Sequence, residues 1–110
     1  MNKILLLFVM LANMAVVNAD SPILPNIDIT TGKVATVDLN DICRVGYSKE
    51  VRDVPESLKN RVYDNYHIFN RKPKEYEIDH LISLELGGSN DIRNLWPQSY
   101  ITQPYNARKK

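Results

Sequence analysis

The sequence predicts a small α+β domain. Three observations carry this. One amphipathic helical stretch occupies the middle of the chain. Short runs of alternating apolar residues flank a glycine pair downstream of it. The length of 110 residues allows one domain and no more.

The elements follow in order. Lys3 gives the start a positive charge, and residues 4–14 are apolar except for Asn13. Val17-Asn18-Ala19 then supplies the −3 and −1 positions of a cleavage site. This pattern predicts a secretory signal peptide over residues 1–19, removed after Ala19. The apolar core is short for a membrane span, which takes about 20 residues. No Cys follows the cut to carry a lipid. The remainder is expected to be exported, to periplasm or medium, with no membrane segment after cleavage.

Residues 20–53 read as an irregular lead-in with one short strand. Pro22 and Pro25 make residues 20–31 an extended, weakly ordered start. Residues 33–39 alternate and predict a short strand. Residues 43–53, with Gly46 and several charges, predict a loop. Cys43 is the single cysteine; it is either buried and free or without its former partner, and it reads as structural, since no His neighbours it in sequence.

Residues 54–110 form the main unit. A helix is expected over 54–69, with Asp53 as cap, Glu56 completing a capping box and Pro55 in the first turn. Leu58, Val62 and Tyr66 make its apolar stripe, with Tyr63 beside them. His67 near the helix end complements the dipole. Pro73 blocks continuation. Arg71, Lys72 and Lys74 form a basic knot that reads as a solvated end or as a contact to a nucleic-acid backbone. Residues 75–78 lead into a strand ending near His80. Residues 81–86 have a period of two, residues 87–90 signal a turn, and a second strand is expected around 94–97. Trp96 reads as a core plug, and Glu77 and Glu85 as solvent-facing. Residues 105–110 begin a helix.

Lys and Arg number 14 against 13 Asp and Glu. Loss of Lys3 with the leader brings the rest to balance. General attraction to a polyanion is therefore excluded, and nucleic-acid binding needs a local patch.

The stretch Asp79-His80-Leu81-Ile82-Ser83-Leu84-Glu85-Leu86-Gly87-Gly88-Ser89-Asn90-Asp91-Ile92-Arg93-Asn94-Leu95-Trp96-Pro97-Gln98 carries the chemistry. A carboxylate is a hard ligand for a divalent cation, and a histidine can take a proton from water near neutral pH. Adjacent residues on an extended backbone point to opposite sides. Asp79 and His80 therefore converge only where the strand ends and the chain bends. Asn94 is placed to hold that bend, because an amide both donates and accepts.

This stretch resembles the HNH endonucleases, the ββα-metal or His-Me finger nucleases, of small exported bacterial or phage type. Similarity covers residues 76–109: Asp79-His80, then Asn94, then Asn106 followed three residues later by Lys109. Residues 41–52 and 58–63 are also similar to small exported proteins carrying this motif.

The resemblance implies a ββα-metal unit preceded by a packed helix. It implies metal-dependent hydrolysis of phosphodiester bonds in DNA, with RNA as an alternative. Asp79 and Asn106 would hold one divalent ion, Mg²⁺ first, with Mn²⁺, Zn²⁺ or Ni²⁺ as alternatives. His80 would be the general base and Asn94 the residue that braces the loop. Arg93, Arg108 and Lys109 are candidate phosphate contacts. The family's closing helix continues beyond its third motif position, whereas Lys110 follows Asn106 closely. Similar exported proteins also often carry a Cys near the C-terminus, which is lacking here. The expectation is a chain truncated in that helix. The alternative to an active nuclease is an inactive HNH-like remnant serving as an exported binding or structural domain.

Overall fold

The computed structural model describes residues 24–102 and Ala107. The signal peptide and, apart from Ala107, the expected helix over 105–110 lie outside the described residues. The order of elements is α1 (Leu39–Ile42), α2 (Tyr47–Val51), α3 (Glu56–Asn65), β1 (Tyr76–His80), a 3₁₀ turn (Leu84–Leu86), a second 3₁₀ turn (Ile92–Asn94) and β2 (Leu95–Ser99). The class is a small helix-plus-sheet α+β arrangement. No helix among the described residues is long and apolar enough to cross a membrane.

The two strands pair antiparallel in a register that sets Tyr76 opposite Ser99, Ile78 opposite Pro97, Asp79 opposite Trp96 and His80 opposite Leu95. Every residue of β2 is buried. Helix α3 packs on it through Val62 and Tyr63. Leu84, Leu95, Trp96 and Tyr47 complete the core. Trp96 is thus the core plug its position suggested. Fully burying an aliphatic side chain contributes about 1.5–3 kcal/mol, so a few such residues carry the unit.

Helix α3 is shorter than the expected 54–69 at both ends, for different reasons. The ring of Pro55 forces the preceding residue, Val54, out of the helical region. The cap position therefore moves from Asp53 to Pro55, which makes no side-chain cap bond, and the expected capping box is absent. At the other end His67 takes a left-handed conformation, φ 55°. His67 N–H donates to Asp64 O and Ile68 N–H donates to Tyr63 O. This pair is a Schellman stop. The role of His67 is to terminate the helix through its backbone. Phe69, expected inside the helix, lies beyond it and is exposed.

Upstream, three expectations change. Residues 33–39 form only an isolated bridge, Val34 to Gly88. Ala35 and Thr36 N–H both donate to Gly87 O. Gly87 has φ 88°, so the partner backbone turns away and offers no extended edge to continue a ladder. The stretch 43–53 contains α2, and α1 ends just before it, capped by Asp38. Cys43 is free and exposed, which removes the buried structural reading.

Of the weakly ordered lead-in, the described part is anchored. Thr30 is fully buried. Its hydroxyl donates to Leu95 O at 2.9 Å and meets Tyr66 Oη at 2.6 Å. Because the threonine proton is committed to the carbonyl, Tyr66 donates to Thr30 and in turn accepts from Asn26 N–H at 3.0 Å.

Residues 81–86 are not a strand. The chain bends after His80, and Ser83 starts the 3₁₀ turn over 84–86 by accepting from Glu85 N–H. Gly88 N–H then folds back to Ser83 O at 2.9 Å. The period of two does not follow burial here: Leu84 is buried, whereas Leu86, two residues on, is exposed.

Candidate active site

The site grows from the base of the β1–β2 pair. Strand β1 ends at His80, and the next residue, Leu81, donates its N–H to Asn94 O at 2.8 Å. The Asn94 side chain does the rest. Its Oδ1 accepts from Ile82 N–H at 2.9 Å, and its Nδ2 donates to Ile82 O at 3.0 Å and Ser89 O at 2.7 Å. Asn94 is 0 % exposed. One buried amide therefore closes both ends of the 82–89 loop and holds the bend that follows Asp79-His80.

Gly87 and Gly88 make that closure possible. A Cβ at Gly88 would lie 1.8 Å from Ile82 O, and one at Gly87 would lie 2.1 Å from Thr36 O. Both backbones approach their neighbours too closely for any side chain.

Asp79 is half-buried, the fourth residue of β1, and its Oδ1 accepts from His80 N–H at 2.9 Å. Alternation sets Asp79, Glu77, Gln98 and Trp96 on one face of the pair, and His80, Ile78 and Tyr76 on the other. The bend comes after His80, so the strand does not bring the Asp79 carboxylate and the His80 imidazole together as the sequence led us to expect. The cleft that His80 lines does not include Asp79. Glu77 is half-buried and borders a cleft, which replaces its solvent-facing reading; Glu85 is exposed as expected.

His80 is oriented by a residue that sequence reading missed. Its Nε2 lies 3.0 Å from Asn90 Oδ1, and Asn90 Nδ2 donates to Val51 O at 2.7 Å. A carbonyl can only accept, so the Asn90 amide nitrogen must face Val51 and its oxygen must face His80. The Nε2 nitrogen then carries the proton, and the basic nitrogen of neutral His80 is Nδ1. In the sequence Asn90 is simply part of a turn signal. Its contact with Val51 spans 39 positions, and nothing local reports it.

His80 also lines a cleft of about 350 Å³ with Arg52, Lys59, Tyr63, Tyr76 and Tyr100. Burial raises the Tyr63 hydroxyl pKa, against the opposing pull of the nearby Arg71 cation.

Arg93 is exposed but engaged. Its Nε and Nη2 each lie 2.9 Å from an oxygen of Asp91. The Arg93 side-chain and backbone donors hold the Asp91 carboxyl well below the usual carboxylate range. A phosphate would have to compete with Asp91 for Arg93. Asn106, Arg108 and Lys109 lie outside the described residues.

Among the described residues no three His, Cys, Asp or Glu cluster to hold a metal ion. The donor set nonetheless suits a hard cation that keeps most of its waters. Such an ion takes one or two carboxylates, of which Asp79 would be one, plus substrate oxygens. The Asp79 face also carries Gln98 Oε1, buried with no hydrogen-bond partner among the described residues.

Compared with known proteins, the chain matches no family model, no curated protein and no solved structure.

Proposed function

We propose that the chain is a metal-dependent endonuclease of the HNH type, with the strand pair and its loop as a ββα-metal unit. The observation that carries the reading is the Asn94 clamp. Three hydrogen bonds from one buried amide hold the loop that follows an adjacent carboxylate and imidazole. Holding that loop is the part the middle Asn plays in the resemblance.

In this reading His80 Nδ1 takes the proton from the attacking water, and Asn90 fixes the neutral tautomer that leaves Nδ1 as the acceptor. Asp79 holds one divalent ion, Mg²⁺ by the hardness of its ligand, with Asn106 as the further ligand that the resemblance implies. When bound, the ion supplies stabilisation of the charge on the phosphate and on the leaving 3′-oxygen. Arg52 and Lys59 draw the phosphodiester towards His80 by charge. The substrate is DNA, and export of the chain would bring it to nucleic acid outside the cytoplasm.

The test is nicking of supercoiled plasmid by purified protein with Mg²⁺ and with EDTA. Nicking is expected only with the metal, and His80→Ala should lower it by about 10²–10⁴-fold. Nicking that His80→Ala leaves unchanged removes the mechanism. No nicking by the folded wild type leaves the exported binding or structural domain as the better reading.

A further inference from the structure

The cleft beside His80 is one of two that adjoin. Tyr63 and Tyr76 line both, their rings packed edge to face with centroids 6.0 Å apart. The second cleft, of about 410 Å³, continues over Phe69, Arg71, Lys72 and Lys74. Along the two clefts stand Arg52, Lys59, Arg71, Lys72 and Lys74, with Glu77 as the carboxylate among the lining residues. A chain whose basic residues exceed its acidic ones by only one thus concentrates positive charge along this path.

The second cleft is built to present its groups. Arg71 is held in place: its guanidinium lies 3.7 Å over the Tyr63 ring, and Nη2 donates to Asn60 Oδ1 at 2.8 Å. Lys74 sits in a left-handed backbone, φ 62°, a conformation a lysine seldom adopts. Lys72 and Glu75 close the turn through Lys72 N–H to Glu75 Oε2 at 2.8 Å and Glu75 N–H to Lys72 O. Phe69 is 65 % exposed beside these cations. The ring was left outside by the Schellman stop at His67.

We infer that the two clefts form one track for single-stranded nucleic acid, with phosphates on Arg52 and Lys59 beside His80 and on Lys72 and Lys74 beyond Tyr76, and a base stacked on Phe69. Positive charge alone suits any polyanion. An exposed aromatic in the same cleft suits a strand whose bases are unstacked, because a duplex keeps its base faces covered. The inference rests on the nuclease reading for what the track feeds, and not for binding itself.

The experiment is fluorescence anisotropy of a labelled single-stranded DNA oligonucleotide and of its duplex, titrated with the full chain in EDTA so that no cleavage intervenes. Wild type is expected to bind the single strand more tightly. Phe69→Ala should weaken single-strand binding by about tenfold and leave duplex binding and the melting temperature unchanged. Lys72→Gln with Lys74→Gln should lower the salt dependence of single-strand binding by about 0.7 in log–log slope per lysine. Single-strand affinity indifferent to Phe69→Ala overturns the track, and so does a loss shared equally by the duplex. Metal-dependent nicking alongside such indifference leaves the nuclease reading standing. Phe69-dependent binding without nicking supports the track and removes the nuclease reading.

Discussion

Asn94 and Ile82 exchange a closed pair of hydrogen bonds: Ile82 N–H donates to Asn94 Oδ1 at 2.9 Å, and Asn94 Nδ2 donates to Ile82 O at 3.0 Å. The side-chain amide thus pairs with a backbone residue as a neighbouring strand would. The same Nδ2 also reaches Ser89 O. Replacing Asn94 with Ala removes all three bonds and strands buried backbone groups. Each net bond contributes about 0.5–1.5 kcal/mol, and each orphaned group costs about 1–3 kcal/mol. The expected loss is about 3 kcal/mol, read as a shift of the urea midpoint. Asn94→Asp should also destabilise, because a carboxylate cannot donate to either carbonyl. A loss below about 1 kcal/mol for Asn94→Ala would mean the loop is held by something else.

Two glycines separate steric closeness from backbone strain. Gly46 has φ 80° with nothing within 4 Å of a built Cβ, whereas Gly88 has backbone within 1.8 Å. Gly46→Ala should cost about 1 kcal/mol through its left-handed conformation alone. Gly88→Ala must push Ile82 aside and should cost about 3 kcal/mol or more. Equal melting temperatures for the two variants would contradict the close approach at Gly88.

The Asn90–His80 contact makes a spectroscopic prediction. In the wild type, ¹⁵N-correlated NMR of the imidazole should report neutral His80 protonated at Nε2. Asn90→Ala should mix the tautomers. If the nuclease reading holds, that change should lower nicking about 10–100-fold, as loss of an orienting partner does at other sites. A wild-type His80 protonated at Nδ1 would contradict the Val51–Asn90–His80 relay.

Asp91 makes a pH prediction. Its folded-state pKa is depressed, chiefly by the Arg93 side chain. Its contribution to stability is therefore present above the unfolded value of about 3.9 and fades as pH falls below it. Asp91→Asn keeps one acceptor oxygen for the Arg93 backbone N–H and Nε–H and loses the charge together with the acceptor for Nη2. The wild type should melt above Asp91→Asn at neutral pH, with the gap closing below about pH 4. The gap should be small, because both partners are partly solvent-exposed and screened. A gap that is constant with pH would mean the ion pair contributes nothing.

The bend after His80 and the residue that holds it were legible because they are local. The order of Asp79, His80, the glycine pair and Asn94 names the bend and what holds it, and the structure closes that bend through Asn94. The strands were also legible, with β2 displaced by one residue from its expected start. The failures share a cause. The capping box at Asp53 was overridden by the steric demand of Pro55 on Val54. The strand over 33–39 had the right pattern and no straight partner. Phe69 was counted into a helix that His67 had already ended.

The sequence by itself determined the α+β class, the central helix and the motif order, because each depends on spacing within a short window. Only the tertiary structure decided which nitrogen of neutral His80 is basic, that Thr30 is anchored beneath Tyr66, and that a second cleft lined by Phe69 shares Tyr63 and Tyr76 with the one at His80. Those depend on hydrogen bonds and packing between residues far apart in the chain, whose partners are chosen by the fold and leave no periodic trace along it.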